Sequence, residues 1–386
     1  MKRLIPVLLL LILAVSLAFG AQAADTADRF TDWDSIDHQP EVAMLSDLQV
    51  ISGYTDGSFR PYNSVTRAEI AKLITYLKSA DKPAAATGRF TDTAGSWAEA
   101  YIEFCARAGI LSGDGSGAFR PDDLVTGREL AKMLLVVLGH PSEQYTGADW
   151  AGAVDRDAQA SGIYDGFTGD RVAFISRDDA CLLINNALQC PVITGYDRHG
   201  AAAYALDEMM TPKTLLEYRF GVKLVTGVVQ ANAEADLRIA GGALEEGFLH
   251  IAGYTRDFYI SYEQTSHDMS LVGRRVTLYA SFGSEYNIAY GMPSLRTSEV
   301  YVTFDSAAEL RTLTDFGAMS LTEKTRYYRN FNPDDSSCLD IMTADDTVTI
   351  VDHEGDGQID IVLVNGPAEV APETPGEGDG EDAGTP

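Results

Sequence analysis

Apolar residues recur at helical spacing in three segments of the first half of the chain. The segments carry Ile70, Leu73, Ile74 and Leu77; then Leu130, Met133, Leu134 and Val137; then Ala180, Leu183, Ile184 and Ala187. Steps of three and four residues place such side chains on one face of a helix. A hydroxyl residue with an acid three positions later precedes each segment, which is typical of a helix start. The sequence therefore predicts helices that begin after Thr66, Thr126 and Ser176.

The residues around these helices are repeated. Phe30-Thr31-Asp32 returns sixty positions later as Phe90-Thr91-Asp92, and FRP at 59–61 returns at 119–121. A fainter third copy lies fifty positions after the second, where ISRD at 175–178 matches VTRA at 65–68 of the first. In each copy an earlier helical pattern leads into a Gly- and Asp-rich loop. Two short helices cannot bury their apolar faces alone, so we expect three packed units, at 28–82, 88–142 and 145–192.

The pattern changes in the second half of the chain. Residues 193–221 are interpreted as a linker with a helix over 211–220. From 222 to 365 the chain contains short β-like runs: KLVTGVVQA, FLHIAGY, FYISY, RRVTLYASF, EVYVTF, TVTIV and IDIVLV. Such runs, separated by Gly, Asn and Asp, predict a mostly antiparallel β domain, a barrel or a sandwich. The tail at 366–386 is rich in Pro, Gly, Glu and Asp and is predicted to be disordered. The fold class predicted is multidomain α+β.

The N-terminal segment indicates where the protein is located, and the net charge of the chain limits its possible partners. Lys2 and Arg3 precede an apolar stretch over 4–19, and Ala21-Gln22-Ala23 has the small residues of a cleavage site. We expect residues 1–23 to be a secretory signal peptide, with no transmembrane segment left after its removal. The net charge is −28, which argues against nucleic acid as a partner.

An arginine stands at an unexpected position in the repeats. Arg67 and Arg177 directly follow the predicted helix caps, where the helix dipole makes a cation slightly unfavourable. The second unit has Gly127 there, and its arginine, Arg128, comes one residue later. An arginine beside free backbone N–H groups can hold a carboxylate or a phosphate. The alternative is an exposed arginine paired with a neighbouring acid.

The units resemble S-layer homology domains. Unit one reads FTD at 30–32, GYTDGSFRP at 53–61 and VTRAE at 65–69, close to the F-x-D, G-Y-x-D-G-x-F-x-P and I-T-R-A-E elements of that family. Unit two departs from the pattern at Gly127. Unit three lacks F-x-P and reads SRDD at 176–179. The resemblance covers roughly residues 28–192, under half of the chain.

The resemblance implies an all-α bundle with pseudo-threefold grooves that hold secondary cell-wall polysaccharide, often pyruvylated. The pyruvate carboxylate would lie beside the motif arginine, Trp33 would stack on a sugar, and Gly53 would allow the ligand to approach closely. The polysaccharide-binding residues that the resemblance implies are Asp32, Trp33, Gly53 and Arg67; Asp92, Trp97, Gly113 and Arg128; and Asp149, Trp150 and Arg177. The grooves need not be equivalent.

A second candidate site lies near the C-terminus. Asp352, Glu354, Asp356 and Asp360 have the spacing of half an EF-hand loop, which makes calcium the candidate ligand of an otherwise cofactor-free chain. However, Leu363 stands where such a loop needs a glutamate, and the flanking runs are strand-like. A plain hairpin turn is the favoured interpretation.

The four cysteines are interpreted as buried free thiols.

These features predict an exported protein that is anchored non-covalently to cell-wall polysaccharide and displays a β domain at the surface or in a surface layer. The sequence contains no G-x-S-x-G, phosphate-binding loop, metal-type histidine pair or distinctive acid pair, so we find no catalytic constellation. The alternative hypotheses are a surface hydrolase that uses the repeats as an anchor, and a β domain that self-associates in an array. We expect Arg67→Ala to weaken wall binding more than Arg128→Ala.

Overall fold

The structure is a computed structural model that describes residues 30–79, 83–238, 241–261, 267–295, 299–304, 306–315 and 319–366. The predicted signal peptide and all but the first residue of the predicted acidic tail lie outside these residues. The first half of the chain is helical, as predicted. Its helices are α1 Gln39–Asp47, α2 Arg67–Lys78, α3 Glu99–Arg107, α4 Gly127–Val137, α5 Trp150–Ala160 and α6 Arg177–Leu188.

The three predicted helix starts are confirmed. The Thr66 hydroxyl accepts a hydrogen bond from the Glu69 N–H at 3.2 Å, and the Glu69 carboxylate accepts one from the Thr66 N–H at 2.9 Å. Thr126 begins α4 with the same capping box, and the hydroxyl of Ser176 caps α6. Because the caps fix each start, Arg67, Gly127 and Arg177 occupy the same helical position in their units.

Short extended segments before α2, α4 and α6 join the units. Isolated β-bridges connect Ser64 with Ser176, Thr66 with Leu124, and Thr126 with Phe174. Each unit therefore pairs with both of the others. The apolar helix faces meet in one core, in which Phe59 and Phe119 of the repeated FRP segments are fully buried.

Residues 193–221 contain more structure than the predicted linker and helix. Strands β1 Ile193–Tyr196 and β2 Ala202–Tyr204 form an antiparallel pair, and helix α7 covers Leu215–Phe220. The helix begins later than predicted because the Thr214 hydroxyl caps it, accepting from the Glu217 N–H at 3.2 Å. The strand pair was missed since its strands are only three and four residues long and are rich in small residues.

The predicted β domain begins with a closed barrel. Its strands are β3 Lys223–Ala231, β4 Phe248–Ile251, β5 Phe258–Tyr259, β6 Arg275–Ser281 and β7 Asn287–Leu295, in the order β3-β4-β5-β7-β6. Neighbouring strands are antiparallel except β5 and β7, which are parallel. Alternate residues such as Leu249, Ile251 and Phe258 fill the interior. The sequence predicted a mostly antiparallel barrel or sandwich, and this part of the chain is a barrel.

A second sheet follows the barrel. It consists of β8 Val300–Phe304, β9 Ser320–Arg329, β10 Asn332–Asp334, β11 Thr347–Asp352 and β12 Gln358–Asn365, in the order β10-β9-β12-β11-β8. One face packs on the barrel, where Ile361 and Leu363 share a core with Leu271. The other face carries helix α8, Ala307–Asp315, through Leu310. The sequence did not predict that the strands would divide into two sheets.

Helix α1 joins the helical half to the barrel. One oxygen of the Asp47 carboxylate accepts the backbone N–H of Gly291 at 2.6 Å, and the other accepts the Ser261 hydroxyl at 2.9 Å. Gly291 has a φ of +69°, and its backbone lies against Met44 of α1. Trp33 packs against the cores of both parts. The barrel is therefore attached to unit one.

All four cysteines are buried and unpaired, as predicted, and burial raises the pKa of the Cys105 thiol to about 11. Within the described ranges, every helix is too short or too polar to cross a bilayer.

Candidate functional site

Two grooves lie between the helical units. The first groove, a cavity of about 280 Å³, is bordered by the unit-one loop and α2; its polar and aromatic lining includes Ser52, Tyr54, Glu69, Lys72, Trp97 and Arg177. The second groove, of about 350 Å³, is bordered by the unit-two loop and α4; its lining includes Arg67, Ser112, Glu129, Lys132, Tyr145 and Trp150. Each groove draws residues from all three units. Both combine an arginine, a lysine, a glutamate and a tryptophan at equivalent positions.

Arg67 is held in the second groove by the loop of unit two. Its Nε donates to the Phe119 carbonyl at 3.1 Å and its Nη2 to the Ser112 carbonyl at 2.8 Å. The guanidinium lies over the Phe119 ring, 4.4 Å from the ring centre. Burial lowers the pKa of Arg67 from its usual value, but arginine remains charged at neutral pH. These contacts fix the cation and leave its remaining edge available to a ligand.

Arg177 has the same arrangement in the first groove. Its Nε donates to the Phe59 carbonyl at 2.9 Å and its Nη2 to the Ser52 carbonyl at 3.4 Å. The guanidinium lies 4.9 Å from the centre of the Tyr54 ring. Its Nη1 is 3.9 Å from the Glu69 carboxylate. The two grooves are thus close copies, each with an arginine supplied by the preceding unit in a cyclic order.

The helix N-termini themselves are not anion sites. The Arg67 N–H donates to the Asp123 carbonyl at 2.9 Å, and the Arg177 N–H donates to the Asn63 carbonyl at 2.9 Å. The interpretation that each arginine lies beside free amides is therefore wrong. Carbonyl groups of the adjoining loop satisfy these amides and also hold the arginine side chain. This contact with neutral oxygens explains why a cation is tolerated at the first helical position.

Lysine and tryptophan complete each groove. The Lys132 ammonium lies 5.5 Å from the Trp150 ring centre, and burial lowers the pKa of Lys132. Trp97 is 60% exposed at the mouth of the first groove, which offers an aromatic surface to solvent. A cation beside an exposed ring suits a ligand that has both an anionic group and an apolar face.

The third inter-unit position differs from the two grooves. Gly127 replaces the arginine, and a side chain there would contact Phe167 and the backbone of Arg171. The neighbouring Arg128 is paired with Asp155 through two hydrogen bonds, of 3.0 and 2.7 Å. This pairing holds the pKa of Asp155 below its usual range. Arg128 therefore matches the alternative predicted from the sequence, an arginine paired with an acid, and it lines neither groove.

Asp32 and Asp92 organise the loops. The Asp32 carboxylate accepts the N–H groups of Phe59 and Arg60, both at 2.7 Å. Arg60 has a left-handed backbone with a φ of +59°, a conformation that is costly for a residue with a side chain. Asp92 makes the same contacts with unit two, and the Phe119 N–H lowers the pKa of Asp92. Both aspartates position the segment whose carbonyl group holds a groove arginine.

The other predicted site residues have different positions and do not form one site. A Cβ atom at Gly53 would lie 2.8 Å from the Phe30 ring, and one at Gly113 would lie 2.6 Å from the Ala118 carbonyl, so packing within each loop requires these glycines. Gly53 also lines the first groove. Trp33 lies between the helical and barrel cores, away from both grooves. Asp149 is exposed and directly precedes α5, and it also lines neither groove.

We expect Asp32→Ala to lower the free energy of unfolding by about 2 kcal/mol, because two loop amides lose a charged acceptor. Denaturant titration of the full chain would measure this. The adjacent exposed Asp34, changed to alanine, is the matched control and should have little effect. A loss of wall affinity at unchanged stability would instead make Asp32 a ligand contact.

Sequence reasoning missed the residues that complete the grooves: Ser52, Glu69 and Lys72, with Ser112, Glu129 and Lys132. Each pair lies at the same sixty-residue offset as the recognised motifs, so the repeat itself carried the signal. In unit three the position of the lysine is occupied by Leu182, which marks the divergent unit.

The acidic segment near the C-terminus forms the hairpin turn between β11 and β12. The Asp352 carboxylate is buried and accepts the N–H groups of Gly355 at 2.7 Å and Gly357 at 2.8 Å. The Asp360 carboxylate accepts the His353 N–H at 2.8 Å. The favoured interpretation as a hairpin is confirmed, and the turn itself engages these oxygens. Within the part of the chain that the structure describes, no cluster of three potential ligands could hold a metal ion.

Helical repeats that share grooves across their boundaries, joined to a β-barrel, define a modular repeat protein with a helical half and a β half. Residues 29–71 and 89–131 match the family model of the S-layer homology domain. Units one and two are S-layer homology domains, and the protein is a cell-surface protein of the cell wall.

Several characterised proteins share part of this sequence. Cell surface glycoprotein 1 of Acetivibrio thermocellus is 28% identical over 168 residues, which are 38% of this chain and 7% of that protein. The amylopullulanase of Thermoanaerobacterium thermosulfurigenes is 32% identical over 139 residues, 32% of this chain and 7% of the enzyme. The cellulosome-anchoring protein of A. thermocellus is 28% identical over 163 residues, 38% of this chain and 36% of that protein. The chain thus matches only a minor part of each relative, and these relatives differ in activity.

Proposed function

We propose that the first and second grooves bind secondary cell-wall polysaccharide and so anchor the protein non-covalently to the wall. The observation that carries this proposal is the repeated meeting of a fixed arginine, a lysine and a tryptophan, as with Arg177, Lys72 and Trp97 in the first groove. The cellulosome-anchoring relative, by its name, has an anchoring role. The third unit completes both grooves, although its own motif is divergent.

The groove chemistry suits a pyruvylated sugar. The carboxylate of a pyruvate ketal would accept hydrogen bonds from the guanidinium and ammonium groups, which are partly desolvated and therefore interact strongly with an anion. The glutamate, Glu69 or Glu129, would accept hydrogen bonds from sugar hydroxyl groups with the oxygen that does not cap its helix. The indole of Trp97 or Trp150 would cover the apolar face of the sugar ring.

Local recognition explains how an acidic protein could hold an acidic polymer. The net charge of −28 repels polyanions at long range, but salt screens such repulsion beyond about 10 Å. Within a groove the ligand meets two cations and one glutamate. We therefore expect binding to depend on the groove residues and to weaken only modestly at low ionic strength.

Under this proposal, the three units form a pseudo-threefold bundle, and residues 222–365 are the part displayed at the surface. In this arrangement the barrel and second sheet are attached to unit one and are carried outward or into a surface layer. Segment 1–23 would direct export, and 366–386 would form an acidic extension.

Cosedimentation of the full secreted chain with purified cell walls tests the anchor. We expect binding to intact walls and its loss when the secondary polysaccharide has been removed. Walls whose pyruvate groups have been cleaved under mild acid should bind at least tenfold less protein. Binding that survives removal of the polysaccharide would contradict the proposal and point to peptidoglycan.

A further inference from the structure

Aromatic side chains gather on one outer face of the barrel. Along β4 and β5, Leu249 and Phe258 point into the core, while Phe248 and Tyr259 point outward. Phe248 and Tyr259 are direct cross-strand partners, with ring centres 5.5 Å apart. Tyr286, from the loop between β6 and β7, packs edge-on against Phe248 at 5.6 Å and is 42% exposed. These three rings form a continuous surface.

A second ring pair lies next to this surface. Tyr254, in the loop between β4 and β5, stacks on Phe282 with ring centres 6.0 Å apart and planes inclined by 21°. Both rings contact Phe258, whose side chain fills the barrel interior. Phe282 is 51% exposed, so the cluster places large apolar rings in contact with water. Exposed clusters of this kind are uncommon on soluble proteins and mark binding surfaces.

Polar groups hold this face in shape. Arg256 donates from Nε to the Ser284 carbonyl at 2.9 Å, which ties the β4–β5 loop to the β6–β7 loop. His250, which also points outward from β4, is 2.7 Å from the Asp257 carboxylate. The contact between Arg256 and Ser284 joins the loops that carry Tyr254, Phe282 and Tyr286, which reduces the conformational entropy lost on binding.

The position of the rings in the barrel also points to binding. The five barrel strands β3 to β7, of which β4 and β5 are the second and third, have the closed arrangement of an OB-fold. Such barrels bind oligonucleotides or oligosaccharides on the face of those two strands and on the loop between the fourth and fifth strands. Here that loop carries Phe282 and Tyr286. The analogy with other OB-folds indicates where a ligand would bind, and the aromatic rings indicate which ligand would bind there.

We propose that this aromatic face binds the side of a neutral glycan chain, at a site separate from the two helical grooves. Aromatic rings stack on the C–H faces of pyranoses, and tyrosine hydroxyls at the ring edges can bond to sugar hydroxyls. The face is open, so it suits the interior of a chain better than a chain end. A net charge of −28 disfavours a nucleic acid strand but does not repel a neutral sugar. The anchored protein would thereby hold a second polysaccharide at the surface.

Calorimetric titration of the full chain tests this site, in an Arg67→Ala/Arg177→Ala background that disables the helical grooves. The probes are the β-1,4-linked hexasaccharides of glucose and of N-acetylglucosamine, with a thymidine 12-mer for comparison. We expect at least one hexasaccharide to bind, and Phe282→Ala and Tyr286→Ala each to weaken that binding by about fivefold or more. Tyr286→Trp should preserve it, because a ring remains at that position.

Tyr218→Ala is the matched control, since Tyr218 is 58% exposed on α7 and should not affect binding. Thermal unfolding of each variant checks that the barrel is intact, and if one alanine variant does not fold, the other still tests the face. Absence of binding by both hexasaccharides would overturn the proposal, as would affinity that is unchanged in the Phe282 and Tyr286 variants. Binding of the thymidine 12-mer alone would identify the face as a nucleic-acid site instead.

Discussion

The double variant Arg67→Ala/Arg177→Ala is expected to lose wall binding by at least about 100-fold, because each change removes one fixed cation from one groove. A hydrogen bond to a charged group contributes about 1.5–3 kcal/mol, which corresponds to roughly tenfold or more in affinity for each groove. Each single variant should retain binding through the other groove. Cosedimentation with purified walls over a range of protein concentrations gives both values.

Arg128→Ala is the matched control for these variants. Arg128 is an arginine in the same turn of the repeated helix, but its guanidinium is engaged by Asp155. We expect its wall affinity to remain within about twofold of the parent chain, with a modest loss of stability. Equal losses in the Arg67 and Arg128 variants would remove the basis for distinguishing the grooves from the third position. Retained binding in the double variant would exclude both grooves as the anchor.

Glu103→Ala is expected to lower the free energy of unfolding by about 3 kcal/mol, since it leaves several polar groups without their acceptor. The Glu103 side chain is fully buried and accepts the Thr87 N–H at 2.9 Å, the Thr87 hydroxyl at 2.8 Å and the Arg89 N–H at 2.8 Å. It thereby fastens the segment between units one and two to α3. Denaturant titration measures the loss, and the exposed Asp122, changed to alanine, is the control. A change below about 0.5 kcal/mol, the size of an ordinary surface effect, would contradict this role.

The same carboxylate predicts a pH dependence. Burial alone would raise the pKa of Glu103, but the N–H groups of Arg89 and Thr87 outweigh it and lower the pKa to about 2, from a usual value of 4.5. The unfolded chain therefore binds this proton at a higher pH than the folded chain. The stabilisation is complete above pH 4.5 and disappears as the pH falls through about 2. The slope between these values should be smaller in Glu103→Gln.

The helical half could be predicted closely because its signals are local. Caps at Thr66, Thr126 and Ser176 depend on residues three positions apart, and the structure places all three helices where expected. The arginines were recognised for the same reason. Their partners were not, because the Phe119 and Ser112 carbonyls that hold Arg67 lie 45 or more positions along the chain. Backbone groups also leave no trace in a sequence motif.

The β half was harder to predict. Strand β3 matches its predicted run, since KLVTGVVQA is rich in β-branched residues. Strands β7 and β9 were missed because NIAYGMPSL and SLTEKTRYYR contain Gly, Pro or many charged residues. Neighbouring strands supply their hydrogen bonds and override weak local preference. The same limitation concealed the aromatic face, whose rings come from separate strands and loops.

Because both grooves take residues from all three units, neither groove belongs to a single repeat. The divergent third unit contributes Arg177 to the first groove and Trp150 to the second. Under the proposed function, deleting the third unit would remove residues of both grooves even though both recognisable motifs would remain. If the grooves bind sugars as proposed, the number of sugars held would depend on the joined set of three units and not on any single repeat.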